Sequence, residues 1–392
     1  MKKIAFIASG FMNQTEANAI CLKNIIDIMK DSFKVDVISI EQETCRCSDY
    51  SIFVIKQSNV IGKNEIMRKI IKFFHMPVGS RRLSKLVARR VCSLLKERKY
   101  DALIAVVNPV ESADAIYYIK RRNPQQKIIL YEIDPASNRY KEPKSVLEKI
   151  WKFKSILWEK KIYEHCDKII HMKTHRNHFS QNCFRKYQDK VIYLDIPNFR
   201  IDFLPTISKS CSKICMIYAG AFYPTLRNPY PMLDVLKKLN RIVPINVKIF
   251  TGSSMIEQIR KYVEDENSFL VSNYISQDAL RVELCKADFL LDLGNKESDF
   301  LPSKTFQYMG TGKPIIHFMP DTSDVSVDYL RRYKDAISVF MDTSENNINS
   351  IVSFIQKERL SPSICDSEEL MQLFWENTPQ YTAQKLMEIL NC

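Results

Sequence analysis

Short apolar runs, each separated from the next by an amphipathic stretch, recur along nearly the whole chain, and this alternation most limits what it can fold into. In the first half the runs are Ile4–Ala8, Val35–Ile40, Ile52–Ile55, Leu103–Val107, Ile128–Tyr131, Lys168–His171 and Val191–Leu194. From Pro197 to Ser212 the pattern lapses into a stretch with two prolines, several serines and no helical period. It then restarts with Ile214–Ala219, Val247–Thr251, Phe269–Val271, Phe289–Leu293, Pro314–Phe318 and Ile337–Phe340. Helices are expected near Pro229–Leu239, Met255–Glu264, Gln277–Cys285, Ser303–Met309 and Ile348–Gln356, with a last one from about Ser367 to Leu390. A strand apolar along its length is buried on both faces, so strands alternating with helices make parallel sheets covered on both sides. The expected fold is α/β: two doubly wound domains facing a cleft. Their spans are residues 1–200 and 213–366, with a linker at 201–212 and a terminal helix, 367–392, that packs back on the first domain.

Composition agrees and excludes other classes. With 45% hydrophobic and 26% charged residues the chain has the balance of a soluble protein with a core. Eight glycines and sixteen prolines rule out collagen and low-complexity linkers. Neither G-x-G-x-x-G nor a Walker A pattern occurs, which argues against P-loop nucleotidases and the usual dinucleotide fingerprint. Runs such as Ala102–Val107 and Ala287–Leu293 fall far short of the roughly 18 residues a membrane span needs. The opening Met1-Lys2-Lys3 followed by Ile4–Ala8 reads as a first strand, being too short for a signal peptide. Eleven dispersed cysteines fit a reducing cytoplasm. Cys45-x-Cys47 and Cys211-x-x-x-Cys215 have no partners at ligand spacing, and His171, His175 and His178 with Cys166 match no standard metal site. No metal and no cofactor are expected.

The net charge of +13 is uneven. Between Lys63 and Lys99, twelve basic residues stand against Glu65 and Glu97. Arg68, Lys69, Lys72, Arg81, Arg82, Lys85, Arg89 and Arg90 alternate with apolar residues at helical spacing. A second patch, from Trp151 to Lys161, mixes Trp151 and Trp158 with lysines. Basic amphipathic helices carrying aromatic residues suit an anionic membrane surface. No recognised nucleic-acid module accompanies them, so no nucleic-acid partner is expected.

Two segments of the second half carry a resemblance. One is Ile217-Tyr218-Ala219-Gly220-Ala221-Phe222-Tyr223-Pro224-Thr225-Leu226-Arg227-Asn228-Pro229; the other runs from Glu297 to Ile316 and contains Pro302-Ser303-Lys304-Thr305-Phe306-Gln307-Tyr308 and Gly310-Thr311-Gly312-Lys313-Pro314. The second resembles the donor-binding motif of GT-B glycosyltransferases, in which P-S-K-x-F-x-Y and a later G-K-P-I precede a strand. The first looks like the opening strand, glycine turn and basic residue of the same family's C-terminal domain. Looser matches elsewhere are Tyr131-Glu132-Ile133-Asp134-Pro135, Trp158-Glu159-Lys160-Lys161, Asn273-Tyr274-Ile275 and Phe374-Trp375-Glu376-Asn377-Thr378. The resemblance implies two Rossmann-like domains, an N-terminal one for the acceptor and a C-terminal one for a nucleotide-sugar donor.

The activity it implies is glycosyl transfer, retaining favoured; the basic patches add the expectation of a saccharide or lipid-linked acceptor in surface polysaccharide or capsule synthesis, and of a cytoplasmic enzyme peripheral to the inner membrane face. A departing diphosphate develops negative charge, and cations must meet it. With no Asp-x-Asp to hold a metal, Arg227 and Lys304 are the natural counter-charges. Ser303 stands where it would cap the helix Lys304–Met309. By resemblance Asp299 contacts sugar hydroxyls, Gln307 the ribose in place of the usual glutamate, and Tyr274 lies in the segment that holds the base. Gly10 and Gly220 sit at strand ends where the backbone must turn sharply or let a ligand approach closely. Asp134, in a Glu-x-Asp-Pro turn, is the candidate base in an inverting transfer and a positioning group in a retaining one. A sugar-nucleotide epimerase and an inactive donor-binding partner subunit remain as alternatives on the same scaffold.

Overall fold

In the computed structural model, every apolar run named above forms a strand. Residues 1–12, 17–41, 51–56, 76–140, 142–204, 213–296, 301–360 and 366–391 are described. Arg68, Lys69, Lys72, Asp299, Cys45, Cys47 and residues 205–212 of the expected linker lie outside them.

The chain divides into two units, residues 1–197 with 376–392, and residues 198–375. In the first, β1 (Lys3–Ser9), β2 (Lys34–Glu41), β3 (Ser51–Lys56), β4 (Ala102–Val106), β5 (Ile128–Glu132), β6 (Lys168–Met172) and β7 (Val191–Leu194) form a parallel sheet ordered β3-β2-β1-β4-β5-β6-β7. In the second, β8 (Ile214–Ala219), β9 (Ile245–Phe250), β10 (Phe269–Ser272), β11 (Phe289–Leu293), β12 (Ile315–Met319) and β13 (Ala336–Phe340) form a parallel sheet ordered β10-β9-β8-β11-β12-β13. Winding reverses between β1 and β4 and again between β8 and β11. In such sheets, ligands bind outside the carboxyl ends of the strands at the reversal.

The helices are α1 (Ala17–Met29), α2 (Arg81–Glu97), α3 (Val110–Arg122), α4 (Val146–His165), α5 (Tyr230–Asn240), α6 (Ile256–Tyr262), α7 (Gln277–Cys285), α8 (Ser303–Met309), α9 (Ser326–Leu330), α10 (Glu345–Leu360), α11 (Ser367–Leu373) and α12 (Pro379–Asn391). Serine side chains start three of them: Ser80 Oγ accepts from Leu83 N, Ser145 Oγ from Glu148 N and Ser276 Oγ from Ala279 N, each at 3.2 Å. None of the helices among the described residues is long and apolar enough to cross a membrane.

Alternate strand residues feed two cores in the first unit. Ala5, Ile7, Leu103, Ala105 and Leu130 pack on one side with Leu83, Val87 and Val91 of α2, Ile116 of α3 and Ile162 of α4. Ile4, Phe6, Ile104 and Ile129 pack on the other with Leu22 and Ile25 of α1 and Leu386 and Leu390 of α12. Each buried Leu, Ile or Val contributes roughly 1.5–3 kcal/mol before chain entropy is set against it. In the second unit Met216, Ile249 and Leu291 pack with Leu233 and Leu236 of α5, Ile259 of α6 and Ile351 of α10.

Three elements of the fold differ from the sequence reading. Trp158 is not a surface-patch residue. It is 8% exposed, and its Nε1 donates to Asp114 Oδ1 at 3.0 Å, because it shares the inward face of α4 with Ile162. The expected terminal helix from 367 to 390 is broken into α11, a 3-10 turn at Trp375–Asn377, and α12. Pro379 disfavours a helical Thr378 before it, and Thr378 Oγ1 instead accepts from Tyr381 N at 3.1 Å, starting α12 afresh. Residues 198–204 belong to the second unit: Asn198 Nδ2 donates to Ser303 O at 2.6 Å, Asp202 N to Gly310 O at 2.6 Å and Leu204 N to Thr311 O at 3.1 Å.

Candidate functional site

The carboxyl ends of β8 and β11 carry a bonded set of polar side chains. β8 ends at Ala219, and Gly220 N donates to Phe250 O at 3.1 Å, holding the turn against β9. The chain then doubles back, with Tyr223 and Arg227 exchanging two backbone hydrogen bonds of 3.1 Å. This return aims Arg227 at the loop after β11. Its Nε donates to Oδ1 of the buried Asn295 at 3.0 Å, and one terminal nitrogen donates to Ala221 O at 3.4 Å. Lys296 N donates to Leu226 O at 2.8 Å, so backbone and side chain both fasten the two loops together. Beside them, the exposed Tyr274 lays its ring on Gly252. A Cβ at Gly252 would stand 2.4 Å from Cδ2 of that ring, so only glycine permits the approach.

Helix α8 is fixed to the same strand ends. Thr305 Oγ1 donates to Asp292 Oδ2 at 2.9 Å. The Tyr308 hydroxyl accepts from Ala219 N at 2.8 Å and donates to Ala219 O at 3.3 Å. Lys304, half-buried, donates from Nζ to Gln307 Oε1 at 2.8 Å, and burial lowers its ammonium from the usual lysine value. Ser303 is not the cap of this helix but its first residue. Pro302 takes the cap position at φ −65° and ψ 127°, and no side chain caps the helix. Arg227 and Lys304 are thus each anchored at the carboxyl ends of β8 and β11, the first through Asn295 and the second through the helix that Thr305 and Tyr308 hold.

Sequence reasoning missed Asn295, Asp292, His317 and Asp324. Asp292 and His317 are register partners on β11 and β12. His317 Nδ1 lies 2.9 Å from Asp292 Oδ2 and its Nε2 lies 3.1 Å from Asp324 Oδ2, all three groups buried. Burial opposes charge on His317, but the two carboxylates outweigh it and raise its pKa to about 9. Burial likewise raises Asp292, yet the bonds from His317 and Thr305 and the charge of Arg227 leave it below the usual carboxylate value. The available signal was a lone charged residue inside each of two otherwise apolar strands.

In the first unit, Gly10 follows β1 with φ +63°, a conformation suited to glycine. Asp134 follows β5, about half exposed, with Oδ1 3.0 Å from His175 Nε2. The Asn138 amide nitrogen stands 3.2 Å from His175 Nδ1, so the His175 ring lies between Asn138 and Asp134. His171 lies between Glu132 Oε2 at 2.9 Å and His175 O at 3.1 Å. His178 Nε2 meets the Tyr163 hydroxyl at 3.1 Å, and burial pushes its pKa down to about 3. Among the described residues no three His, Cys, Asp or Glu side chains gather so as to hold a metal ion. Arg81, Arg82, Lys85, Arg89 and Arg90 line the exposed side of α2, and Trp151 is half-buried with its ring 5.7 Å from that of Tyr140.

No protein-family model matches the chain, and no curated protein matches it by sequence. Solved structures match it along its whole length. Sucrose-phosphate synthase from Thermosynechococcus elongatus superposes with a TM-score of 0.68 at 12% identity, covering 100% of this chain and 98% of the other. The lipopolysaccharide outer core galactosyltransferase WaaB gives 0.57 at 12% identity, covering 98% and 99%. The catalytic domain of starch synthase IV from Arabidopsis thaliana, bound to ADP and acarbose, gives 0.62 at 8% identity, covering 100% and 99%. The chain adopts the GT-B fold that these glycosyltransferases share.

Proposed function

We propose that the chain transfers a sugar from a nucleotide-sugar donor to a hydroxyl of a saccharide acceptor carried on a lipid at an anionic membrane face. The observation that carries this reading is the fastening of Arg227 to Asn295 at the reversal of the second sheet, with α8 and its Lys304 held to the same strand ends. Among the structural matches, the starch synthase holds ADP and the galactosyltransferase works on the lipopolysaccharide outer core.

In this reading Arg227 and Lys304 neutralise the departing diphosphate without a divalent metal. Burial already strains the ammonium of Lys304, and an anion beside it relieves that cost. Gln307 exchanges its bond to Lys304 for one to the ribose, Tyr274 offers its ring to the base, Ser303 and Gly220 border the phosphates, and Asp299 meets the sugar. Asp134, its carboxylate held beside His175, positions the acceptor hydroxyl, the role it takes in a retaining transfer.

A thermal-shift series with uridine, adenosine and guanosine diphosphates and their sugars tests the first step, since a ligand that binds the native state raises its melting temperature by mass action. One nucleotide class should shift the protein, and its sugar should then release nucleoside diphosphate with excess EDTA present. No shift from any of them, or a strict metal requirement, would overturn the mechanism.

A further inference from the structure

The outward face of α4 carries an apolar row that the fold does not use. Val146, Ile150, Phe153 and Leu157 are four, three and four residues apart, a spacing that sets them on one line along the helix. They are 75%, 47%, 61% and 50% exposed. The opposite face, with Ser155, Trp158, Glu159 and Ile162, is the buried one. The helix therefore has two apolar faces and one sheet to cover them. The row spans about 17 Å at the helical rise.

Charge frames the row on one sign. Lys149, Lys154, Lys160 and Lys161 flank it at helical spacing. The acids are engaged: Glu148 accepts from Lys144 N in the first turn, Glu159 is buried, Glu164 at the end of the row is held by Lys186 and the Tyr187 hydroxyl, and the buried Asp114 lies 3.8 Å from Lys161 Nζ. The positive face continues sideways. Lys161 Nζ sits 3.6 Å from the Tyr117 ring centre and 5.4 Å from that of Tyr118 on α3, and Lys85 Nζ of α2 sits 5.8 Å from the Tyr118 ring centre. Arg81, Arg82 and Arg89 extend it along α2.

We infer that the outer face of α2, α3 and α4 docks on an anionic membrane, with Val146, Ile150, Phe153 and Leu157 entering the acyl boundary and the flanking lysines and arginines meeting the headgroups. The row stands on a convex helix surface rimmed by long cationic stems, which suits insertion into an interface plane, where the lysine heads reach back to phosphate. The inference rests on the reading above only for where the acceptor is presented. Docking itself needs neither donor nor acceptor.

Sedimentation of the full chain with vesicles of phosphatidylcholine, with and without phosphatidylglycerol, tests it. Binding is expected only with phosphatidylglycerol and should weaken steeply with salt. Phe153→Asp with Leu157→Asp should cut the affinity at least about tenfold at unchanged melting temperature, since both side chains are half or more exposed. Arg82→Glu with Arg89→Glu should weaken binding and flatten its salt dependence, while Ile242→Asp, an exposed apolar residue of the second unit, should leave it unchanged. In Phe153→Trp, emission should shift to the blue on phosphatidylglycerol vesicles and be quenched by lipids brominated in the acyl chain. No binding by the parent chain, or equal binding by the double Asp variant, overturns the inference. So does dissociation of a self-associated form by that variant with vesicle binding intact, which would give the row to a second copy of the chain. Donor binding measured without vesicles reports on the transferase reading separately.

Discussion

Arg227 donates from Nε to Asn295 Oδ1 at 3.0 Å, a bond that ties the loop after β8 to the loop after β11 where the winding of the second sheet reverses. The guanidinium keeps further donors for a ligand while one edge is fixed. Arg227→Ala should cost about 2–4 kcal/mol in transition-state stabilisation, read mainly in kcat. Asn295→Ala leaves the charge but frees its aim, and should cost less, about tenfold. Equal losses confined to KM in both variants would make the pair a ground-state clamp and sink the proposed role.

Lys304 is the second cation. Among the described residues its Nζ bonds the neutral Gln307, and burial lowers its pKa. Lys304→Ala should cost at least about 2 kcal/mol in transition-state stabilisation, read mainly in kcat, with little loss of stability, because the half-buried ammonium lies in a setting that disfavours its charge. A variant that turns over at the parent rate would remove Lys304 from the mechanism.

Gly252 and Tyr274 make a more local prediction. A methyl group at Gly252 would stand 2.4 Å from Cδ2 of the exposed Tyr274 ring and would displace it. Gly252→Ala should therefore weaken nucleotide binding by about tenfold, the scale of one lost stacking contact, while the melting temperature stays within error. Unchanged nucleotide affinity, measured by titration calorimetry, would show that the Tyr274 ring does not carry the base.

The strands were legible because each is an apolar run between two helical layers, and burial on both faces leaves one reading of such a run. The break at Thr378 was written in Pro379 but masked by apolar spacing that continues through it. Trp158 misled because tryptophan between lysines reads alike on either face; only the phase of α4 against Ser155 and Ile162 decides it. Arg227, Lys304 and Gln307 were legible as a motif, whereas Asn295 and the Asp292–His317 pair were not. Those depend on which strands become neighbours, and β11 pairs with β12 in a register no local pattern encodes.

Trp158 as a core residue has its own consequence. Its Nε1 donates to Asp114 Oδ1 at 3.0 Å in a buried setting. Trp158→Phe should cost about 1–3 kcal/mol in urea unfolding, from the lost bond to a carboxylate and the smaller ring. Vesicle binding should be unaffected. The reverse pattern, intact stability with weakened vesicle binding, would return Trp158 to the surface.

His317 sets a pH dependence. Its pKa in the folded chain is about 9 against an ordinary value of 6.5, because Asp292 and Asp324 accept from its two ring nitrogens and outweigh the cost of burial. Arg227 and Thr305 also act on Asp292, the first by charge and the second by a hydrogen bond. A base whose folded pKa is raised stabilises fully below its unfolded pKa, and that contribution is lost as pH rises through the folded one. The contribution is at most about 3 kcal/mol. His317→Gln keeps a polar amide between the carboxylates but cannot carry the charge, so the variant should be less stable than the parent near neutrality. The difference in unfolding free energy between the two should shrink from about pH 7 to about pH 10 as the parent loses its imidazolium. Calorimetry of both chains across that range reads the difference directly, with the other titrating groups cancelling between them. A gap that stays constant with pH would mean that His317 is neutral in the fold, and that the strand pair β11 and β12 is held by the neutral hydrogen bonds alone.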